Sequence, residues 1–114
     1  MSQVALAEAY ARLTALKANL PDRHYADEKY IKEFHQILTQ LEQASGHDLK
    51  GFRIASEDIE PETTGGNYLT GEVYYSGRKV CERSLLMMRI DGVLGFFSLQ
   101  QSPRRQTIGF NPKQ

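Results

Sequence analysis

The chain has 114 residues, of which 40% are hydrophobic and 25% are charged. This composition is typical of a folded globular protein and excludes a disordered chain, and the length suits one domain with one core. The formal net charge is zero, which argues against a strongly basic nucleic-acid-binding protein.

The charges are nevertheless unevenly placed along the chain. Residues 1–62 hold seven basic and eleven acidic side chains, whereas residues 63–114 hold seven and three. We expect the two halves to attract each other within one fold, and a basic binding face in the second half is the alternative.

The compartment follows from the cysteine and from the lack of targeting signals. Cys81 is the only cysteine, so no internal disulfide can form, which suits a reducing compartment. The N-terminus lacks the basic start and apolar run of a signal peptide. The most apolar stretch, residues 85–99, contains two charges and is too short to span a bilayer. We expect a cytoplasmic protein of bacterial type without a membrane partner.

The first predicted helix covers residues 2–19. Its apolar side chains recur at steps of three and four residues and therefore share one face: Leu6, Tyr10, Leu13, Leu16 and Leu20. Ser2 is a suitable N-cap, and Pro21 ends the segment.

The second predicted helix covers residues 27–45. Its apolar face comprises Tyr30, Phe34, Ile37, Leu41 and Ala44. Asp27 can cap its start, and Gly46 is the residue type that commonly ends a helix. The short link over residues 21–26 predicts an antiparallel hairpin of the two helices.

The middle of the chain has no clear periodicity. Residues 63–67 have the composition of a loop. Val73, Tyr74 and Tyr75 favour a strand, so residues 71–81 predict a short β-hairpin that turns at Ser76-Gly77. In the alternative, Ser76 caps a helix.

Residues 82–99 have two interpretations. As a helix, they place five apolar side chains on one face: Leu86, Ile90, Val93, Leu94 and Phe97. As a hairpin, strands 84–90 and 93–99 would meet at an Asp91-Gly92 turn. We favour the helix because the apolar run 85–88 does not alternate. The sequence thus predicts a mainly α domain over residues 1–100 with a tail at 101–114, and an α+β fold with the 84–90/93–99 hairpin is the alternative.

The third predicted helix carries a second apolar stripe, displaced from the first. Its members are Leu85, Met88, Gly92, Phe96 and Leu99. Two stripes on one helix indicate burial on two sides, and the glycine would let another backbone approach closely. We therefore expect a non-enzymatic interaction module that forms a homodimer or binds a larger protein.

The runner-up is a nucleic-acid-binding or anionic-ligand-binding protein. Aromatic and basic residues are interleaved in one part of the chain and followed by a basic pair in the tail: Tyr75, Arg78, Lys79, Arg83, Arg104 and Arg105. Arg89 would lie between the two apolar stripes, where it requires an acidic partner or an anion.

A catalytic or metal site is not evident in the sequence. His24, His35 and His47 lack metal-ligand spacing, so no metal and no cofactor is expected. Cys81 has no histidine nearby in the sequence. A small enzyme is the third hypothesis, and it would require His35, Asp91 or Cys81 to converge in a pocket.

Two segments resemble known sequences. Tyr75-Ser76, Cys81-Glu82-Arg83 and residues 85–97 look like the C-terminal part of an uncharacterised group of small bacterial proteins. Residues 30–46, with Asp48-Leu49 and residues 52–54, are also similar to that group. The resemblance covers about half of the chain and implies no activity.

Overall fold

The structure is a computed structural model that describes residues 3–101 and the side chains of residues 3–99. Three helices and three strands follow one another along the chain: α1 (Gln3–Asn19), β1 (Tyr25–Asp27), α2 (Glu28–Ser45), β2 (Glu60–Gly66), β3 (Val73–Glu82) and α3 (Arg83–Gln101). Two short 3₁₀ turns, Lys50–Phe52 and Ser56–Asp58, lie between α2 and β2.

All three predicted helices are present. Asp27 caps α2, because its side chain accepts a hydrogen bond from the Lys29 N–H at 3.0 Å. Gly46 ends α2 in the left-handed conformation with φ 79°, as predicted. The hairpin alternative of strands 84–90 and 93–99 is wrong, since one continuous helix covers residues 83–101.

The core lies where the predicted helix faces meet. Buried side chains come from α1, α2 and α3, and they include Leu13, Leu16, Phe34, Ile37, Leu41, Leu86, Ile90, Val93 and Phe97. Burial of each large apolar side chain stabilises the fold by about 1.5–3 kcal/mol. Val80 and Cys81 extend this core into the inner end of β3.

A three-stranded antiparallel sheet of order β1-β3-β2 adds to the helices, so the fold is α+β and the predicted mainly α class is wrong. Tyr25–Asp27 pairs with residues 80–82, and β2 pairs along β3 from Glu60↔Val80 to Gly66↔Val73. Neither outer strand has a strand-like composition. β1 is three residues long, and β2 reads Glu-Pro-Glu-Thr-Thr-Gly-Gly. Pairing with β3 overrides these weak local preferences.

The β-hairpin predicted within residues 71–81 is also wrong. Residues 73–82 form a single strand, and the chain turns earlier, over residues 67–72, where the Asn67 N–H donates to the Glu72 carbonyl at 2.9 Å. Ser76-Gly77 instead forms a bulge opposite Glu62, whose carboxylate accepts a hydrogen bond from the Ser76 hydroxyl at 2.9 Å. A Ser-Gly pair within a strand pattern is compatible with a bulge as well as with a turn.

Few ion pairs support the expected attraction between the two halves of the chain. Among residues 3–99, one ion pair joins an acidic residue of the first half to a basic residue of the second, Asp27 with Arg78 at 3.5 Å. Lys17 and Asp91 form the reverse combination at 2.7 Å and link α1 to α3. The uneven charge therefore contributes little to the association of the two halves.

Candidate functional site

The outer part of the sheet forms a two-stranded arm. We define the arm as residues 60–79, which comprise β2, the turn at 67–72 and the outer part of β3. Most residues of the arm are exposed, whereas Val80 and Cys81 at its root are buried. Because β1 pairs only with residues 80–82, no third strand supports the arm in the described chain. The sequence predicted a loop over residues 63–67, most of which belong to β2, and a hairpin within residues 71–81, but no projecting element.

The arm concentrates exposed apolar surface. Tyr68 and Leu69 at its turn are 104% and 96% exposed. Val73, Tyr74 and Tyr75 on β3 are about half exposed or more. The one charged side chain between residues 63 and 77 is Glu72. Exposed apolar side chains concentrated in one element are typical of interaction sites, and an isolated two-stranded ribbon is only marginally stable in water.

The predicted interaction face on α3 is contacted near its centre by Phe52 of the same chain, although Gly92 itself is exposed. A Cβ added at Gly92 would lie 3.0 Å from Cε1 of Phe52, so the phenyl ring occupies the space that the glycine leaves. Leu85 and Phe96 are half-buried and pack against the core. Met88 and Leu99, at 65% and 60% exposure, and Gly92 are the accessible members of this face.

Polar groups of α2 hold the segment that carries Phe52. We define this cover segment as residues 46–55. The Glu42 carboxylate accepts hydrogen bonds from the Leu49 N–H at 2.8 Å and from the Arg53 guanidinium at 3.1 Å. Nε2 of His35 accepts a hydrogen bond from the Ile54 N–H at 3.0 Å.

Thr39 and Glu42 are functional candidates that the sequence interpretation missed, and His35 was considered there only as a metal ligand or a catalytic group. His35, Thr39 and Glu42 follow one another at steps of four and three residues, and Thr39 also accepts a hydrogen bond from Arg53 at 2.9 Å. The spacing was a detectable signal, because it places the three side chains on one helix face. The Nε2 acceptor role requires a neutral imidazole with its proton on Nδ1. Burial, and then the positive charge of Arg53, lower the pKa of His35 below its ordinary value of 6.5, which favours that neutral form.

The proposed catalytic groups do not come together. Cys81 is 1% exposed, and burial together with the Asp58 and Glu82 carboxylates raises the pKa of its thiol to about 11. A thiol of this kind is a poor nucleophile near neutral pH. Asp91 is engaged with Lys17, and His35 with Ile54.

The predicted anion-binding residues are only partly collected. Arg78 faces Asp27, the Nε–H of Arg83 donates to the Pro21 carbonyl at 2.7 Å, and Tyr75 and Lys79 are exposed on the arm. Arg104 and Arg105, with nearly all of the predicted tail, lie outside the described residues.

Two depressions near the root of the arm contain basic residues that the sequence interpretation missed. One of about 350 Å³ brings Arg23, His24 and Lys29 to Arg78, but Asp27 and Glu62 line it as well. Arg83 lines a separate depression, again with Arg23 and His24 and with Asp22. The acidic residues offset much of the positive charge in both places.

Arg89 lacks the acidic partner that its position on α3 predicted. Its Nε is buried and has no hydrogen-bond partner, and no carboxylate forms an ion pair with Arg89 within residues 3–99. An unpaired buried donor reduces stability, and within residues 3–99 no ion pair of Arg89 offsets this cost.

Metal binding, membrane-spanning helices and similarity to known proteins give no indication of what this chain does. Within residues 3–101, no group of three His, Cys, Asp or Glu side chains is arranged to hold a metal ion. No helix in this range combines the length and apolarity needed to cross a membrane. No protein-family model, curated protein or solved structure matches the chain.

Proposed function

We propose that this chain is a non-enzymatic protein-interaction module and that the arm is its docking element. The observation that carries the proposal is the exposure of Tyr68, Leu69, Val73, Tyr74 and Tyr75 on one ribbon. Tyrosine is enriched in protein interfaces, and the centres of such interfaces are depleted of charge. Residues 63–77 of the arm have both properties.

The partner is a protein, either a second copy of this chain or a larger molecule. A nucleic acid would require basic residues beside the aromatic ones, and residues 63–77 contain no Lys or Arg. The basic residues lie at the root, where Arg78 and Arg83 already have partners in the chain. The module acts in the cytoplasm, a compartment in which the free thiol of Cys81 stays reduced.

Site-specific photo-crosslinking tests the proposal. A benzoylphenylalanine placed at Tyr74 should give discrete crosslinked protein products in the cells that make this chain. The matched control is the same group at Ala18, which is exposed on α1 but lies away from the arm. A captured protein should bind the purified chain, and the Leu69→Ser variant should weaken that binding at least tenfold. Equal products from both positions would contradict the proposal.

A salt titration distinguishes the runner-up function. The proposal predicts that the purified chain does not shift labelled RNA or DNA at physiological salt. A shift that weakens steeply with salt, and that the Lys79→Ser variant reduces, would favour nucleic-acid binding instead.

A further inference from the structure

The cover segment connects two parts of the molecule. On one side, Phe52 packs on Gly92 and lies 6.4 Å from the Phe96 ring, which is also 5.2 Å from His47. On the other side, hydrogen bonds join Leu49, Arg53 and Ile54 to α2. The α2 contacts, together with the buried side chains of Leu49 and Ile54, therefore hold the Phe52 ring against α3.

One of these contacts depends on the protonation state of His35. The lone pair of His35 Nε2 accepts the Ile54 N–H, and protonation converts this nitrogen into a donor that faces another donor. The resulting imidazolium would also repel Arg53, whose guanidinium donates to the His35 carbonyl at 3.4 Å. Both effects oppose the closed position of the segment.

The charged groups around the imidazole come from two elements. Arg53 of the cover segment acts on His35 directly, and Glu42 of α2 neutralises part of that charge through its ion pair with Arg53 at 3.1 Å. Besides burial, the charge of Arg53 is what lowers the pKa of His35, and the ring also lies beside Phe34 and accepts the Ile54 N–H. The response to pH thus centres on His35.

We propose that His35, Arg53 and Glu42 form a proton-operated latch that holds Phe52 over α3. When His35 takes up a proton at Nε2, residues 52–54 of the cover segment loosen, and the half-buried rings of Phe52 and Phe96 become exposed. This latch shares no residue with the arm and does not depend on the function proposed for the arm.

Nuclear magnetic resonance of the wild-type chain tests the latch directly. The ¹⁵N shifts of the imidazole follow the protonation of His35, and hydrogen exchange follows the Ile54 amide in the same sample. As His35 becomes protonated, the protection factor of the Ile54 amide should fall about tenfold or more, since the N–H loses its acceptor. A protection factor that stays constant while His35 is protonated would overturn the proposal.

Two variants separate His35 from the other histidine near α3. His35→Gln keeps an acceptor near the position of Nε2 and cannot be protonated, so its Ile54 amide should remain protected at about pH 5. His47→Gln removes the titratable ring beside Phe96 and should respond as the wild-type chain does. Binding of an apolar dye should increase on acidification in the wild type and in His47→Gln but not in His35→Gln. Loss of the response to acid in His47→Gln would refute the latch. Persistence of that response in His35→Gln would refute it as well.

Discussion

Gly92 and Gly95 are three residues apart on α3 and have different surroundings. A Cβ at Gly95 would have no atom outside the helix within 4 Å, whereas one at Gly92 would meet the Phe52 ring at 3.0 Å. Alanine favours a helix interior over glycine by about 0.5–1 kcal/mol. We expect Gly95→Ala to raise the free energy of unfolding by that amount, and Gly92→Ala to raise it less or to lower it. Chemical denaturation of both variants measures the difference.

The contact with Phe52 can be isolated by a double-mutant cycle. In a Phe52→Ala background, the added methyl group at Gly92 has no ring to displace, so Gly92→Ala should stabilise the chain as much as Gly95→Ala does. Equal effects of Gly92→Ala in both backgrounds would show that Phe52 does not occupy this space.

At the scale of elements, Gly46 and Gly71 provide a matched comparison. Both have positive φ, 79° and 75°, and a Cβ at either would have no atom within 4 Å. Alanine in this conformation costs about 1–2 kcal/mol. Gly46→Ala should lower the free energy of global unfolding by about this amount, because Gly46 ends a core helix.

Gly71→Ala should act on the arm alone. The turn at residues 67–72 has no buried side chain, so its loss leaves the core intact. Amides of the arm should exchange faster while those of α2 exchange at the wild-type rate. An equal loss of protection throughout the chain would mean that the arm and the body unfold as one unit.

Local signals explain which elements could be predicted. The apolar period of α2, with Asp27 before it and Gly46 after it, is contained within its own residues and predicted both ends of the helix. β2 has no such pattern, because its Pro61, Gly65 and Gly66 are loop residues that become a strand only beside β3. The first apolar stripe of α3 is buried in the core as predicted, but the sequence contained no indication that Phe52 packs on Gly92 of the second stripe.

The whole molecule should respond to mild acid through His35. Its pKa is lowered from 6.5 by burial and by Arg53, so below pH 6.5 the unfolded chain takes up a proton before the folded chain does. The contribution of neutral His35 to stability is complete above pH 6.5 and is lost as the pH falls through its folded pKa. Urea denaturation at several pH values above about 5, where most carboxylates stay ionised, should show this decline. The His35→Gln variant should not show it.

Cys81 makes the stability of the fold depend on pH in the opposite direction, in the alkaline range. Its folded pKa is raised from 9.0 to about 11, so the contribution of the neutral thiol is complete below pH 9 and is lost as the pH rises towards 11. A Cys81→Ala variant should lack this loss, although it should be less stable at neutral pH because a buried side chain becomes smaller.

The order of the strands has a consequence for the growing polypeptide on the ribosome. α1 and α2 are neighbours in the chain and can dock as soon as both have been synthesised. Tyr25, in contrast, cannot pair with Glu82 until β3 has been synthesised, and β2 requires the same strand as its partner. A nascent chain that ends before residue 73 therefore carries a docked helix pair, and its β1 and β2 segments have no partner strand. Completion of β3 converts both into strands in one step, because its residues 80–82 pair with β1 and its residues 73–80 pair with β2.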